Sequence, residues 1–396
     1  MAELDIKPGY KGLERPLHDY DLERHASEVR QLNDDFNNRK NSRVPITFYT
    51  DESFWLRISG YSFRQFYTDP RIHLETQLVA KAWACNNIPD DSVPGLPEKW
   101  VIPVQYWMEE NDFFGCEILM QEDNFAWSKP LAMTKETVLG HIRGIDAKER
   151  LPKCRAWQLY TRMREIADGK CFLGRPIEVR PAGTAVGITH GIFTKACEVW
   201  GSERLCVDMA EDPAFAEALI NAVTDKTIEK LKAGRAFMQT AFHETPGDLF
   251  LFADDSIHMI SKKMYDDMVL PCHEKLYAHF AGDGRRGIHL CGRAEQHFET
   301  LYRKLNVTYI DGPGPFVDHA KYLEEFGPDF SFTGRLNTTT ECFGDEPAIR
   351  DMIVRLMTPG AKQPGRFSLL GYVQRDSRLD AVRLIYSLIK QYGKIG

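Results

Sequence analysis

The stretch 286-RGIHLCGRAEQHFETLYRKLNVTYIDG-312 contains two short apolar runs separated by a longer segment with helical spacing. The runs 286–292 and 307–312 have the length of buried strands, and 294–305 is long enough for about three turns of helix. A strand, a helix and a second strand in this order form a right-handed crossover between parallel strands. The stretch therefore predicts a βαβ unit.

The same pattern recurs along the second half of the chain. The apolar runs lie at 185–193, 248–254, 286–292, 307–312, 329–334 and 366–373, and the helical segments at 213–234, 263–282, 294–305, 346–357 and 377–393. With 44–50 and 115–122 the strand candidates number eight, which is the number that closes a (β/α)8 TIM barrel. An open doubly wound sheet is the alternative, but no GxGxxG fingerprint follows the first strand. We therefore predict an α/β protein with the TIM-barrel fold.

The predicted domain organisation is an arm followed by one barrel. Residues 1–43 form an N-terminal helical arm, because 20–40 is charged and compatible with a helix. Residues 44–396 form a single (β/α)8 barrel with an insertion around 87–180, which includes a further strand candidate at 100–108.

Composition excludes several classes of protein. The formal charge is −7 with a pI near 6.0, and no block of Lys and Arg stands out, so a nucleic-acid partner is disfavoured. No apolar run approaches the roughly 18 residues of a membrane helix, and the N-terminus lacks the apolar core of a signal peptide. The nine cysteines show no disulfide framework. We expect a cytoplasmic protein without a membrane or nucleic-acid partner, with a homodimer as the default oligomer.

Active sites of TIM barrels gather at the carboxyl ends of the strands. Several predicted strands end here in polar residues, namely His190, Asp254, Asp255, His289, Cys291, Asp311, Arg335, Asn337 and Tyr372. Side chains two residues apart on a strand point to the same face, so His289 and Cys291 can enter one pocket. Imidazole and thiolate are good zinc ligands, but a zinc site needs a third protein ligand. A metal-free strand end is therefore the alternative for this pair.

The other strand-end residues also have two interpretations each. Asp254 and Asp255 suit catalytic acid–base or ligand-orienting roles, although such aspartates also cap helices or pair with arginine. We predict His190, Arg335 and Asn337 as substrate-binding residues, with a buried hydrogen-bonded histidine as the alternative for His190. Tyr372 is predicted to be catalytic as a phenol donor, or else is an aromatic residue of the barrel rim.

In the order of its motifs the chain resembles the uroporphyrinogen decarboxylase superfamily, and in particular the methylcobamide:coenzyme M methyltransferase branch. The likeness spans roughly residues 40–393. The motifs are 44-VPITF, 114-FGCEI, 189-THGIFTKACEVWG, 252-FADDS, 269-VLPCHEKL, 288-IHLCGR, 318-DHAKYLEEFGPDFSFTGRLN and 366-RFSLLGYV.

This resemblance implies a (β/α)8 barrel with zinc held by His289, Cys291 and a cysteine after the last strand. It also implies a corrinoid, often on a partner protein, that supplies or receives a methyl group over the barrel mouth. The chain departs from the pattern because Tyr372 stands where that last cysteine is expected. Cys342, or one of Asp254 and Asp255, is then the candidate for the third ligand.

The sequence thus predicts an enzyme, a zinc-assisted and corrinoid-dependent methyltransferase. It would move a methyl group between a small methylated substrate or thiol and a cobalamin cofactor. A porphyrinogen decarboxylase is the main alternative, but its substrate needs several converging arginines, and 48-FYTDESFWLRISG-60 contains only Arg57. A non-catalytic corrinoid- or tetrapyrrole-binding protein is the third hypothesis.

Overall fold

The computed structural model describes residues 1–6, 22–92 and 95–396, and describes residues 22 and 86 by their backbone alone. No helix within these ranges is both long and apolar enough to span a lipid bilayer.

The strands and helices are numbered separately in chain order. The strands are β1 Ala2–Glu3, β2 Ile46–Thr50, β3 Trp100–Pro103, β4 Glu117–Leu119, β5 Trp127–Lys129, β6 Lys170–Phe172, β7 Arg175–Arg180, β8 Leu249–Ala253, β9 Arg285–His289, β10 Val307–Asp311, β11 Ser331–Arg335 and β12 Phe367–Val373. The α-helices are α1 Leu22–Asn37, α2 Glu52–Ser59, α3 Phe63–Thr68, α4 Pro70–Asn87, α5 Glu109–Phe114, α6 Lys135–Arg143, α7 Ala147–Arg150, α8 Arg155–Ala167, α9 Gly183–Val186, α10 Phe193–Trp200, α11 Ser202–Glu211, α12 Pro213–Phe242, α13 Lys262–Met264, α14 Leu270–Phe280, α15 Glu295–Leu305, α16 His319–Glu325, α17 Thr338–Phe343, α18 Glu346–Leu356 and α19 Leu379–Tyr392. Short 3-10 helices form at Leu151–Lys153 and Asp255–Met259, and a π-helical turn at Tyr265–Val269.

A six-stranded parallel sheet organises the second half of the chain. Strands β8 to β12 lie side by side in chain order, and β2 pairs with β12. The predicted βαβ unit is confirmed, because β9, α15 and β10 follow one another and the two strands pair in parallel. The first strand of this sheet in the chain therefore contacts the last, which is the pairing that a barrel requires.

A second sheet has the order β1-β6-β7-β3, with β3 and β7 parallel. Strand β7 was not predicted from the sequence, because RPIEVR mixes proline and charged residues with few apolar ones. Its parallel partner β3 was predicted at 100–108 and is shorter. In the described residues no strand ladder joins the two sheets.

Two of the eight predicted strands do not belong to the large parallel sheet. The segment 115–122 contributes only β4, which pairs antiparallel with β5 outside the large sheet. The segment 185–193 contains the end of α9, a loop and the first residue of α10 instead of a strand. The Asp254 carboxylate accepts hydrogen bonds from the backbone N–H groups of Ile192, Phe193 and Thr194, and these contacts start α10 in place of a strand ladder.

Two aspartates satisfy the edge of β2 that faces away from β12. The carboxylates of Asp90 and Asp91 accept the backbone N–H groups of Phe48 and Ile46, each at 2.8 Å. Asp91 also binds the Arg43 guanidinium through both of its oxygens, and its side chain is fully buried. Unpaired backbone donors at a buried edge would be costly, so these side chains take the role of a neighbouring strand.

The N-terminal residues pack against the rest of the protein. Strand β1 pairs in parallel with β6, and Val29 and Leu32 of α1 are buried. Part of the predicted arm, residues 7–21, lies outside the described residues. The boundary at 43/44 stays a prediction.

We expect Asp91→Ala to lower the free energy of unfolding by about 3–5 kcal/mol, because it leaves a largely buried Arg43 charge without its partner. Urea denaturation followed by circular dichroism measures the change. Asp329→Ala is the matched control, since its ion pair with Arg39 is solvent-exposed and should contribute under about 1 kcal/mol. Equal effects of the two substitutions would contradict the role of Asp91.

Candidate metal centre

Three potential metal ligands meet at the carboxyl ends of two neighbouring strands. His289 ends β9 and Cys291 follows two residues later, while Asp255 begins the 3-10 helix after β8. One ligand atom of each residue lies within 4.8 Å of the other two. His289 and Cys291, which the sequence analysis predicted to enter one pocket, lie close together in the structure. Asp255 is the residue that joins them.

Asp255 is held in place by the backbone of the neighbouring strand. Its Oδ1 accepts the backbone N–H of Cys291 at 2.6 Å and lies 3.9 Å from His289 Nε2. The short contact couples the start of the 3-10 helix to the loop after β9. Cys291 itself is exposed, so the group is open on the thiol side.

Asp311 orients the imidazole of His289. It ends β10 in register with His289, and its Oδ2 lies 2.6 Å from His289 Nδ1. A proton on Nδ1 donated to this carboxylate leaves Nε2 with its lone pair, which is the nitrogen nearer Asp255. Metal-binding histidines commonly have such a carboxylate behind them. Asp311 was noticed at a strand end in the sequence but received no role there.

A glycine makes room for this ring. Gly312 has φ +80°, and a Cβ there would lie 2.5 Å from Cε1 of His289. Any side chain would therefore displace the imidazole as well as strain the backbone.

Arg335 lies behind Asp311 and is buried. Its Nη2 donates to Asp311 Oδ2 at 3.1 Å, and its guanidinium carbon lies 5.1 Å from the centre of the Tyr372 ring. Among the described residues, Nε and Nη1 of Arg335 find no hydrogen-bond partner. Arg335 therefore supports the carboxylate that orients His289. Its Nε and Nη1 groups remain available as hydrogen-bond donors beside the site.

Tyr372 stands on β12 opposite Tyr49 of β2, with the two ring centres 5.9 Å apart. Its backbone N–H donates to the buried carboxyl of Glu341, a residue without a role in the sequence analysis. Burial raises the pKa of the Tyr372 phenol, so the phenol stays protonated. It does not belong to the group of three ligand atoms. Tyr372 therefore packs beside Arg335.

Asp254 is occupied by structural contacts. It is fully buried, and besides the N–H groups that start α10 it accepts the Thr194 hydroxyl at 2.7 Å and contacts His273 Nε2 at 2.8 Å. A carboxylate offers about four lone-pair sites. Asp254 therefore has none left for a metal or a substrate, whereas the adjacent Asp255 does.

Two further predicted residues lie in helix-capping or core positions. The Asn337 side chain accepts the N–H of Thr340 and caps α17, which is a sufficient reason for an asparagine there. Cys342, the alternative third ligand, is buried with its Sγ 3.5 Å from the Ser377 hydroxyl. It is not part of the three-residue group either.

His190 lies in the loop before α10 and contacts a buried carboxylate. Its backbone N–H donates to Glu110 Oε2 at 2.8 Å, and its Nδ1 lies 3.2 Å from the same oxygen. Glu110 was missed from the sequence, because its position in 107-WMEENDFFG-115 looks like the exposed start of a helix.

The donor set fits a zinc ion in composition and spacing. Zinc takes imidazole nitrogen, thiolate sulfur and carboxylate oxygen at about 2.0–2.3 Å, which puts neighbouring ligand atoms roughly 3–4 Å apart. Small side-chain movements would bring the three atoms to that spacing. Although the Cys291 residue is exposed on one side, its sulfur is partly desolvated by the surrounding protein; this desolvation, and then the charge of Asp255, raise the pKa of the Cys291 thiol to about 12, so the thiol keeps its proton until a metal displaces it.

Comparison with known proteins places the chain in a family. The sequence profile of the uroporphyrinogen decarboxylase (URO-D) family matches residues 138–371, which is more than half of the 396 residues. Among solved structures, a methyltransferase from Methanosarcina mazei is similar with a TM-score of 0.60 at 13% identity, covering 94% of this chain and 99% of that one. This likeness concerns the fold. No curated protein matches the chain by sequence. The chain belongs to the uroporphyrinogen decarboxylase family.

Proposed function

We propose that this protein is a zinc-assisted, corrinoid-dependent methyltransferase. The observation that carries the proposal is the group of His289, Cys291 and Asp255, which offers nitrogen, sulfur and oxygen ligands with an open side. Three protein ligands and one free position are the arrangement of catalytic zinc. The similar fold of the methyltransferase from Methanosarcina mazei agrees with this proposal.

The chain's own residues have separate tasks in this proposal. His289, Cys291 and Asp255 would hold the ion, Asp311 would fix the imidazole, and Arg335 would hold Asp311. Bound zinc would act as a Lewis acid on a thiol or a methylated heteroatom at its free position. The corrinoid would be the carrier of the methyl group.

Asp255 takes the place that the family resemblance gives to a cysteine after the last strand. A carboxylate is a harder ligand than a thiolate and donates less electron density to the metal. The metal-bound group is then the weaker nucleophile. This favours a methylated oxygen compound, or another non-thiol methyl donor, as the small substrate.

The rim around this group suits a partner protein. Trp107, Met259 and Phe316 are exposed, and they follow the carboxyl ends of β3, β8 and β10 within a few residues. Exposed apolar residues on one side of a protein commonly mark an interaction surface. We place the corrinoid protein on this rim.

The proposal also includes a closed barrel. Thr189 and β8 are joined by one backbone hydrogen bond, from Ala253 N–H to the Thr189 carbonyl at 2.9 Å, and β3 and β7 supply two more parallel strands. Together with the six-stranded sheet these make eight parallel strands. The cytoplasmic location stays a prediction of the sequence.

The porphyrinogen decarboxylase alternative finds less support. Arg57, the only arginine after β2 in the stretch 48–60, donates to the carbonyl of Arg375 and packs over the Phe54 ring at 5.0 Å. A substrate with many carboxylates needs several arginines directed into one pocket. The other alternative, a binding protein without catalysis, would be supported by a protein that binds a corrinoid and transfers no methyl group.

We expect about one zinc ion per chain in protein purified with zinc, measured by plasma mass spectrometry after dialysis. His289→Ala, Cys291→Ala and Asp255→Ala should each lose it, because two remaining protein ligands do not retain zinc. Cys342→Ala is the control and should keep its zinc. Loss of zinc from Cys342→Ala together with retention in Asp255→Ala would make Cys342 the third ligand.

Asp311→Asn should lower the zinc affinity by roughly 10–100-fold, since the amide no longer holds the correct His289 tautomer by a charged hydrogen bond. Competition with a chromophoric chelator gives the dissociation constant. Asp283→Asn, at an exposed aspartate in the turn two residues before β9, serves as the control. An unchanged constant for Asp311→Asn would remove Asp311 from the site.

Methyl transfer is tested with free methylcobalamin and cob(I)alamin, following the corrinoid absorption spectrum with a panel of thiols and methyl ethers. We expect conversion by the zinc-loaded protein and at least 10²-fold less by Cys291→Ala. Absence of any spectral change with every methyl donor and acceptor would instead favour the non-catalytic binding protein.

A further inference from the structure

His190 lies in the loop at the carboxyl end of β8, the strand that leads to Asp255. The Thr189 carbonyl accepts the N–H of Ala253, so the loop runs along the carboxyl end of β8, two residues before Asp255. Gly191 has φ +91°, and a Cβ there would lie 2.1 Å from the Ala253 carbonyl oxygen. Only glycine allows this close approach. The position of His190 next to the strand that precedes Asp255 is therefore set by the backbone.

Glu110 gathers four contacts around one fully buried carboxylate. Oε1 accepts the Thr189 hydroxyl at 2.7 Å and Lys230 Nζ at 2.7 Å, while Oε2 accepts the N–H of His190 and lies 3.2 Å from His190 Nδ1. Burial alone would raise the pKa of Glu110, but the Lys230 ammonium and the other contacts hold that pKa well below its usual value. Glu110 is thus a permanent negative charge behind the imidazole.

The charges around this carboxylate are themselves paired. Lys230 of α12 also binds Glu109 at 3.1 Å and the Thr184 carbonyl at 2.8 Å, and it is fully buried. Lys195 of α10 lies 4.0 Å from Glu110 Oε2 and donates to Asn111 at 2.7 Å. A network of buried charges with hydrogen bonds on each member is rigid.

The other side of the imidazole is open. The His190 side chain is 24% exposed, and its ring centre lies 5.7 Å from that of Trp107. The Trp107 indole is fixed in turn, since its Nε1 donates to the buried carboxyl of Glu52 at 2.9 Å. In the described part of the chain no hydrogen bond is formed by His190 Nε2. The His190 ring is therefore held by Glu110 at Nδ1 and by the ring of Trp107, while Nε2 remains available to a ligand.

A structural histidine of the same protein shows the contrast. His273 is fully buried, and both of its ring nitrogens have partners, Tyr265 at 3.1 Å and Asp254 at 2.8 Å. Both ring nitrogens of His273 are therefore occupied, and neither is available to a substrate. His190 resembles His273 only in that one of its ring nitrogens contacts a carboxylate.

We propose that His190 and Glu110 form the acid–base pair of the methyl transfer, with His190 Nε2 as the atom that exchanges the proton with the substrate. This proposal rests on the proposed function. A thiol or hydroxyl that accepts a methyl group loses a proton: its S–H or O–H bond breaks, an N–H bond forms at Nε2, and the electron pair stays on the heteroatom. In the opposite direction the same N–H returns the proton to the leaving heteroatom.

Glu110 acts in this pair as a positioning residue. Its charge keeps the proton on Nδ1 and stabilises the imidazolium, as the buried carboxylate does in a catalytic triad. The titratable groups around the pair are Glu110 and Glu109 from α5, Lys230 from α12 and Lys195 from α10, with Glu52 behind Trp107. The Lys195 ammonium is in turn paired with Glu198 of its own helix.

The test uses His190→Asn, whose amide keeps a donor near Glu110 but lacks the atom corresponding to Nε2. Glu110 is left unchanged, since its loss would strand the buried Lys230 charge. The control is His243→Asn, because His243 is exposed at the C-cap of α12 in a left-handed conformation that asparagine tolerates.

Cobalt(II)-substituted protein is titrated with 2-mercaptoethanol, and thiolate binding is followed by the sulfur-to-cobalt charge-transfer band. Calorimetry in two buffers of different ionisation enthalpy gives the number of protons released per thiol bound. We expect wild type and His243→Asn to release clearly less than one proton, because His190 retains it, and His190→Asn to release about one. Ring ¹⁵N NMR should show His190 becoming an imidazolium in the thiol complex.

The same variant should transfer methyl groups at least roughly 10²-fold more slowly with unchanged metal content. A charge-transfer band with equal proton release in wild type and His190→Asn would overturn the acid–base pair and leave the metal site standing. A wild-type protein that binds no cobalt would overturn the metal-based function and the pair together, whereas bound cobalt without the charge-transfer band would overturn the pair as the acceptor of a thiol proton.

Discussion

The in-register pairing of His289 with Asp311 is the contact on which the candidate site depends. Parallel strands bring their carboxyl ends to one edge, and the β9–β10 register places these two side chains opposite each other. The 2.6 Å contact then fixes which imidazole nitrogen faces Asp255. Arg335, one strand further, holds the same carboxylate. A shift of either strand by one residue would turn these side chains to the other face of the sheet.

The adjacent residues Asp254 and Asp255 show how one strand end serves both the fold and the site. Asp254 is buried, and its hydrogen bonds build the start of α10, whereas Asp255 is partly exposed and meets Cys291. The loop that Asp254 anchors carries His190. Asp254 thus positions the loop of the acid–base candidate, and the accessible Asp255 offers a proposed metal ligand.

The sequence predicted those parts of the fold that follow from periodicity. Short apolar runs with helices between them identified β8 to β12, and the spacing of His289 and Cys291 predicted two side chains directed to one place, where the structure has their ligand atoms as neighbours. The strand predicted at 185–193 was wrong because the apolar residues of this segment are buried in a loop and at a helix start. The deciding contact comes from Asp254, more than sixty residues away. Strand β7 failed for the opposite reason, since its residues are mostly polar although it pairs with β3.

The third ligand and the acid–base pair lay beyond sequence reasoning for a related reason. Cys342, Asp254 and Asp255 were chemically acceptable alternatives. Only the structure shows that Asp255 reaches Cys291, that the hydrogen-bonding sites of Asp254 are occupied, and that Cys342 is buried beside Ser377. Glu110 precedes His190 by eighty positions and resembles a surface residue of a helix start, yet Lys230 makes it a buried anion. A glutamate is stable in such a place only when a cation from another element compensates it. Because Lys230 compensates the charge of Glu110, His190 can have a carboxylate beside its Nδ1 while its Nε2 remains available to a ligand. The carboxylate of the pair comes from α5 and its compensating cation from α12, whereas the proposed metal ligands follow β8 and β9, so side-chain substitutions can change one set of residues at a time.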